Sequence, residues 1–183
     1  MAPLECHSIF FIFILLLSTS SFTTGSDPAA NALVDKVCNQ TSNYTFCVGS
    51  LYSDPRTPDA DRYTLAYISV GLAYGKATAT RDNVAELLKN IDPGHPDYRH
   101  SLQRCAGNYD KAVSLLVVAQ NDLNSESFSE LPVLARNVSC EANRCEAGLR
   151  GIKPSSPLTN MNKDLVGLSE IFEIVAKLFT GEL

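Results

Sequence analysis

Sulfur is the element of this sequence best placed to do chemistry. Of its six cysteines, Cys6 lies in an apolar leader, and Cys38, Cys47, Cys105, Cys140 and Cys145 follow it. Thiols can serve as metal ligands or as disulfide partners. No C-x-x-C pair is present, which removes the commonest zinc pattern. His95 and His100, the histidines outside the leader, lie in or just past a proline-rich turn with no third ligand at fixed spacing, so they read as solvated surface residues. Neither a metal nor a cofactor is expected. Cys140 has only Arg144 as a basic neighbour at helical spacing and reads as an unpaired, partly shielded thiol, not a nucleophile. There is no G-x-S-x-G elbow, glycine-rich phosphate loop, H-E-x-x-H helix or Glu-x-x-His pair. The carboxylates fall at helix ends and opposite the apolar stripes, where they are expected to be solvated. No acid–base pair stands out, and the chain does not read as an enzyme.

The leader decides between the two uses of sulfur. Ile9 to Leu17 is an apolar run, followed by small and hydroxylated residues from Ser18 to Gly25. This predicts a secretory signal peptide over residues 1–25, cut near Gly25 and Ser26, although no Lys or Arg precedes the run. The run is too short for a membrane anchor. An oxidising route makes disulfides the default. Losing Glu5 with the leader takes the 20 acidic residues to 19 against 15 basic ones, a net charge of −4. Such a surface is unsuited to nucleic acid. Acceptor sequons at Asn39, Asn43 and Asn137 agree with secretion.

The elements that position the cysteines are helices. From Tyr98 the apolar or small residues fall at Leu102, Cys105, Tyr109, Ala112, Leu116, Ala119 and Leu123, in alternating three- and four-residue steps. Phe128, Leu131, Ala135, Val138, Ala142, Cys145 and Leu149 repeat the pattern after the polar residues Asn124 to Ser127. Helices joined so briefly lie antiparallel. With a fold-back near Ser125, Cys105 lies twenty residues before it and Cys145 twenty after, which brings the two side by side. Cys140 would face the neighbourhood of Asp110 from the wrong side of its helix and is left free. Pro132 threatens the register, because it either kinks the second helix or confines it to begin there.

Earlier in the chain, short apolar runs at Ala29 to Val37 and Tyr44 to Tyr52 flank a polar turn, and closing Cys38 onto Cys47 makes a stapled helical hairpin. The chain-entropy estimate gives that small loop about 2 to 3 kcal/mol and the larger one about 4 kcal/mol. A proline-marked linker then leads to a third long helix, with a stripe at Leu65, Ile68, Leu72, Gly75 and Ala79 that continues at Val84, Leu87 and Ile91 after a phase slip. A last helix carries Met161, Leu165, Leu168, Phe172, Val175 and Phe179. The expected fold is all-α: an up-down-up-down four-helix bundle over residues 59–183, with a disulfide-stapled hairpin and linker over residues 26–58. A monomer is expected, with hairpin exchange between copies as the route to a dimer.

Several local features carry a resemblance. Cys38, Asn43-Tyr44-Thr45-Phe46-Cys47, Ser50-Leu51, Ser53-Asp54-Pro55-Arg56, Ala60-Asp61 and Leu65-Ala66, then Cys105 with Tyr109 and Cys145-Glu146, resemble the plant invertase and pectin methylesterase inhibitors. The similarity covers nearly all of the chain after the leader, and its overall look is closest to the invertase inhibitors, related tree-pollen allergens included. The resemblance implies a secreted or vacuolar protein that occupies the active-site cleft of a carbohydrate-active enzyme, and it implies the same fold. It also implies that the turn between the two central helices enters the cleft. Invertase inhibitors carry Pro-Lys-Phe there; this chain has Glu126-Ser127-Phe128. Only the Phe is kept, and Glu126 would meet like charge among glycosidase carboxylates. Phe128 also opens an apolar stripe, so a core role competes with a contact role.

The expected function is therefore inhibition of a cell-wall or vacuolar acid invertase through Glu126, Ser127 and Phe128. Pectin methylesterase is the alternative target, and a ligand-binding or pollen structural bundle is the reading from another class.

Overall fold

The computed structural model describes residues 28–152 and 156–183. The leader at residues 1–25 lies outside the described residues. The elements are α1 (Pro28–Cys38), α2 (Tyr44–Leu51), a 3-10 turn (Thr57–Asp59), α3 (Arg62–Asn90), α4 (Pro96–Asn124), α5 (Leu131–Arg150) and α6 (Thr159–Thr180). Each of the four long helices packs on the next and α6 closes the ring against α3, giving the antiparallel bundle. The stapled hairpin α1–α2 lies against α3 and α6. Among the described residues no helix is long and apolar enough to cross a membrane.

The cysteine pairing follows the residue count. Cys105 is bonded to Cys145 and Cys38 to Cys47, with Cα separations of 4.6 and 5.5 Å, while Cys140 is free. Cys140 is exposed and not shielded, since its helix turns it outward from the buried Val138 and Ala142. Pro132 acts by confining α5 to begin beside it, in the first turn, where its missing N–H leaves no helical bond unmade. The helix therefore opens at Leu131 and not at Phe128, and residues 125–130 form the connection. From Cys105 to the end of α4 is about 28 Å and from the start of α5 to Cys145 about 21 Å at helical rise, so this longer connection takes up the difference.

The inward face of α3 departs from the expected stripe. Its buried residues are Leu65, Ala66, Ile68, Ser69, Val70, Ala73, Ala77, Thr80 and Val84, whereas Gly75 and Ala79 are exposed and Leu72 is half-buried. Ala66, Ser69, Ala73, Ala77, Thr80 and Val84 follow one another in three- and four-residue steps and form one continuous face. The seam is built from small residues, and the buried hydroxyls bond backward along the helix, Ser69 Oγ to Ala66 O and Thr80 Oγ1 to Lys76 O.

Two devices hold the hairpin and its linker. The Phe46 ring lies so close to Gly167 that a Cβ there would come within 2.7 Å of it, so α6 needs glycine for this approach. Beside it, Ser42 donates from its N and Oγ to the two Glu170 carboxylate oxygens at 2.9 and 2.6 Å. In the linker, Asp54 accepts from the Arg56 backbone N at 3.0 Å, from Nε at 2.9 Å and from a terminal guanidinium nitrogen at 2.7 Å, while Thr57 Oγ1 donates back to Leu51 O. Ser53-Asp54-Pro55-Arg56 is thus a turn lock.

Those Arg56 bonds hold the Asp54 carboxyl down at about 2. A depressed folded-state pKa gives stability that is present above the unfolded value, about 4, and lost as pH falls. Asp54→Asn should therefore lower the melting temperature at neutral and mildly acid pH, with the gap to wild type closing as pH approaches about 2. A second test is a thermal-denaturation cycle. Gly167→Ala should cost on the order of 1 kcal/mol in the wild-type background, despite alanine's better helix propensity, and turn stabilising in a Phe46→Ala background.

Candidate functional site

The up-and-down order brings the start of α3, the α4–α5 connection and the end of α6 to one end of the bundle. There the Phe128 and Phe179 rings stack at 4.4 Å with 24° between their planes, and Tyr63 meets both edge-on, at 5.8 and 5.2 Å. Phe128 and Phe179 are half-buried, while Tyr63 is 39% exposed. The Arg62 guanidinium lies over the Tyr63 and Phe179 rings at 5.0 and 5.2 Å from their centroids and donates to Tyr63 OH at 3.2 Å. Asp61 caps α3 by accepting from Thr64 N at 2.7 Å, and that bond lowers its carboxyl below the usual range.

The turn projects from this aromatic bed. Helix α4 ends in a Schellman pattern: the Ser127 N–H donates to Asp122 O at 2.8 Å and the Glu126 N–H to Leu123 O at 3.2 Å. The pattern needs a left-handed residue, normally glycine, and here it is Glu126 with φ of 57°. Glu126 and Ser127 are exposed. Phe128 has the packing role that its place on the stripe implied, with its ring stacked in the cluster and its backbone joined to the exposed turn.

The other predicted residues are not part of this end. The two disulfides and Cys140 belong to the scaffold. Asn39, Asn43 and Asn137 are all exposed. Asn43 caps α2 by accepting from Phe46 N at 3.1 Å through Oδ1, which leaves Nδ2, the atom a glycan would occupy, free of that bond. Among the described residues no group of three or more His, Cys, Asp and Glu is placed to hold a metal ion.

Periodicity alone missed a buried polar network across α4, α5 and α6. Tyr109 OH donates to Asn162 Oδ1 at 2.7 Å, Asn162 Nδ2 to Glu146 Oε2 at 2.7 Å, and Thr159 Oγ1 to Glu146 Oε1 at 3.1 Å. Burial pushes the Tyr109 phenol well above its ordinary pKa, so it stays a neutral donor. Glu141 also departs from the expected solvated face. It is 3% exposed and ion-paired to Lys111 at 2.8 Å and Arg144 at 2.6 Å. Its position three residues beyond Val138, on the α5 stripe, was the available signal. For Arg62, Tyr63 and Phe179 the signal was topological, because aromatic residues at three helix ends meet only once the bundle order is known.

These features define a class, a disulfide-braced helical bundle that presents an exposed turn. Residues 32–175 match the model of the plant invertase/pectin methylesterase inhibitor family, and the chain belongs to it. It is an enzyme inhibitor by family and not itself an enzyme. A relative from Platanus orientalis named "Putative invertase inhibitor" is 33% identical over 138 residues, covering 74% of this chain and 79% of the relative. A pectinesterase inhibitor from Actinidia deliciosa is 27% identical over 186 residues, 99% of both chains. The crystal structure of a mutant form of an Arabidopsis pectin methylesterase inhibitor superposes with a TM-score of 0.71, 18% identity, and coverage of 79% of this chain and 95% of that one, which shows the common fold.

Glu126→Gly removes the left-handed strain, so it should stabilise the protein by roughly 0.5 to 1 kcal/mol, read as a raised urea midpoint at unchanged slope.

Proposed function

We propose that the protein is a secreted inhibitor of a plant acid invertase, a β-fructofuranosidase, and that it blocks the enzyme one to one by seating Glu126, Ser127 and Phe128 in the active-site cleft so that sucrose is excluded. The observation that carries this reading is the turn. A glutamate is kept where glycine would be more stable, exposed, on a cluster of aromatic rings. Strain of this kind persists where the surroundings over-determine it and clusters at ligand-contacting sites. The relative from Platanus orientalis supports invertase as the target. The signal-like leader and the three sequons support secretion, to the cell wall or the vacuole. Glycans on Asn39 and Asn43 would stand at the hairpin tip beside Gly167 and Glu170, about 14 to 18 Å along α6 from Phe179, and would leave the turn clear.

Pectin methylesterase is the second reading. The near-complete alignment with the Actinidia deliciosa inhibitor favours it, and so does the exposed face of Tyr74 and Val117 across α3 and α4, which could dock an enzyme without the turn.

Residual activity of each enzyme, mixed with purified protein in mildly acidic buffer, separates the targets. The expected result is stoichiometric loss of sucrose hydrolysis with pectin demethylation untouched. Loss of demethylation alone selects the second reading, and no effect on either enzyme together with uptake of an apolar dye selects a ligand-binding bundle. Glu126→Lys should strengthen invertase inhibition several-fold by removing like charge from an acidic cleft. Unchanged inhibition would move the contact off the turn.

A further inference from the structure

Most of the described arginines are engaged by groups of the chain itself. Arg56, Arg81, Arg136, Arg144 and Arg150 each lie within 4.0 Å of a carboxylate of the chain. Arg99 donates instead to the Leu88 and Ile91 carbonyls, at 3.4 and 3.0 Å. Arg62 is exposed, and no ion pair within that distance is found for it among the described residues; its nearest acidic neighbour in sequence, Asp61, caps α3 through Thr64 N and feels the Arg62 charge only as the smallest of the causes that lower its carboxyl. It is held instead by two ring faces and by Tyr63 OH. A guanidinium resting on aromatic faces keeps its charge and its planar fork, and its torsions are already restricted, so forming a further salt bridge costs little ordering. Arginine and tyrosine, with tryptophan, are the residue types enriched among those that dominate protein–protein contacts.

We infer that Arg62 is a further specificity-determining contact at this end of the bundle and pairs with a carboxylate in the acid-lined cleft of the target enzyme. This rests on the inhibitor reading above and adds a residue that the turn does not contain. The occupant follows from charge. Glycoside hydrolysis is carried out by paired carboxylates, and the chain as a whole is acidic, so an exposed cation beside the projecting turn supplies the complementary charge. Because Phe179 lies under Arg62 and stacks on Phe128, the cation and the turn share one rigid bed and enter a cleft together.

The experiment is a titration of acid invertase with wild type, Arg62→Ala, Arg62→Glu, Arg62→Lys and Arg104→Ala, at low and high salt, each protein first checked by circular dichroism and melting temperature. Arg104 is exposed on α4 beside Cys105, towards the far end of the bundle, and serves as the control. Arg62→Ala should weaken inhibition by about 10- to 100-fold, Arg62→Glu should weaken it further, and Arg62→Lys should recover part of the loss. The salt dependence of inhibition should be shallower for Arg62→Ala than for wild type, and Arg104→Ala should match wild type. If Arg62→Ala and Arg62→Glu inhibit as wild type does, this assignment is overturned and the inhibitor reading stands. If the loss is equal at both salt concentrations and lysine recovers none of it, the charge has no part in binding and the assignment is again overturned. Wild type that inhibits neither invertase nor pectin methylesterase overturns the inhibitor reading, and the Arg62 assignment with it.

Discussion

The Cys105–Cys145 bridge sets the register of α4 against α5, and the remaining geometry depends on that register. With the two Cα atoms 4.6 Å apart, the helical repeat puts Ala112 level with Val138, Leu116 with Ala135, and Ala119 with Leu131. Small residues thus face large ones down the seam, all of them buried. A slip of one turn would set alanine against alanine and open cavities, each methylene-sized void costing about 1 kcal/mol. The same register leaves residues 125–130 to close the bundle end, and so determines where the turn and Phe128 emerge.

How much of this was legible depended on what each helix buries. The stripes of α4, α5 and α6 are aliphatic against polar outer faces, so their period could be read directly, and two cysteines on facing stripes confirmed the fold-back. Helix α3 buries Ser69, Ala73, Ala77 and Thr80 while Gly75 and Ala79 face out. Small residues carry little hydropathy contrast, so the apparent stripe followed Leu72 and drifted off the core. Glu141, Glu146 and Asn162 failed for the opposite reason. A polar residue signals solvent until its partners are known, and those partners, Lys111, Tyr109 and Thr159 among them, lie on other helices or far along the chain. Phe128 was ambiguous in sequence because an aromatic residue that opens an apolar stripe beside a turn fits packing and contact equally well. The exact start of α5 turned on Pro132, whose two permitted effects could not be separated by pattern alone.

The residues that make the family resemblance are mostly scaffold. Asp54 and Arg56 lock the linker, Asn43 caps α2, Cys105 and Cys145 join two helices, and Tyr109 and Glu146 belong to the buried polar network. Removing any of these would disturb the fold before it touched a partner. Membership in the family therefore follows from residues that say little about which enzyme is bound. On the reading proposed above, target choice resides in exposed positions such as Glu126 and Ser127, whose side chains the core does not use. This is why a chain can match the family over residues 32–175 and still depart from the invertase-inhibitor pattern at the turn.

A rigid bundle suits inhibition because ordering costs are met during folding and not at binding. The left-handed Glu126 illustrates the balance. Its conformation is unfavourable by about 1 to 2 kcal/mol, yet the Schellman bonds on one side and the stacked Phe128 on the other hold it. Glycine there would relieve the strain, but it would give the turn more conformations when free and remove a side chain from its tip. The fold thus spends a small part of its stability to keep one exposed residue in one orientation.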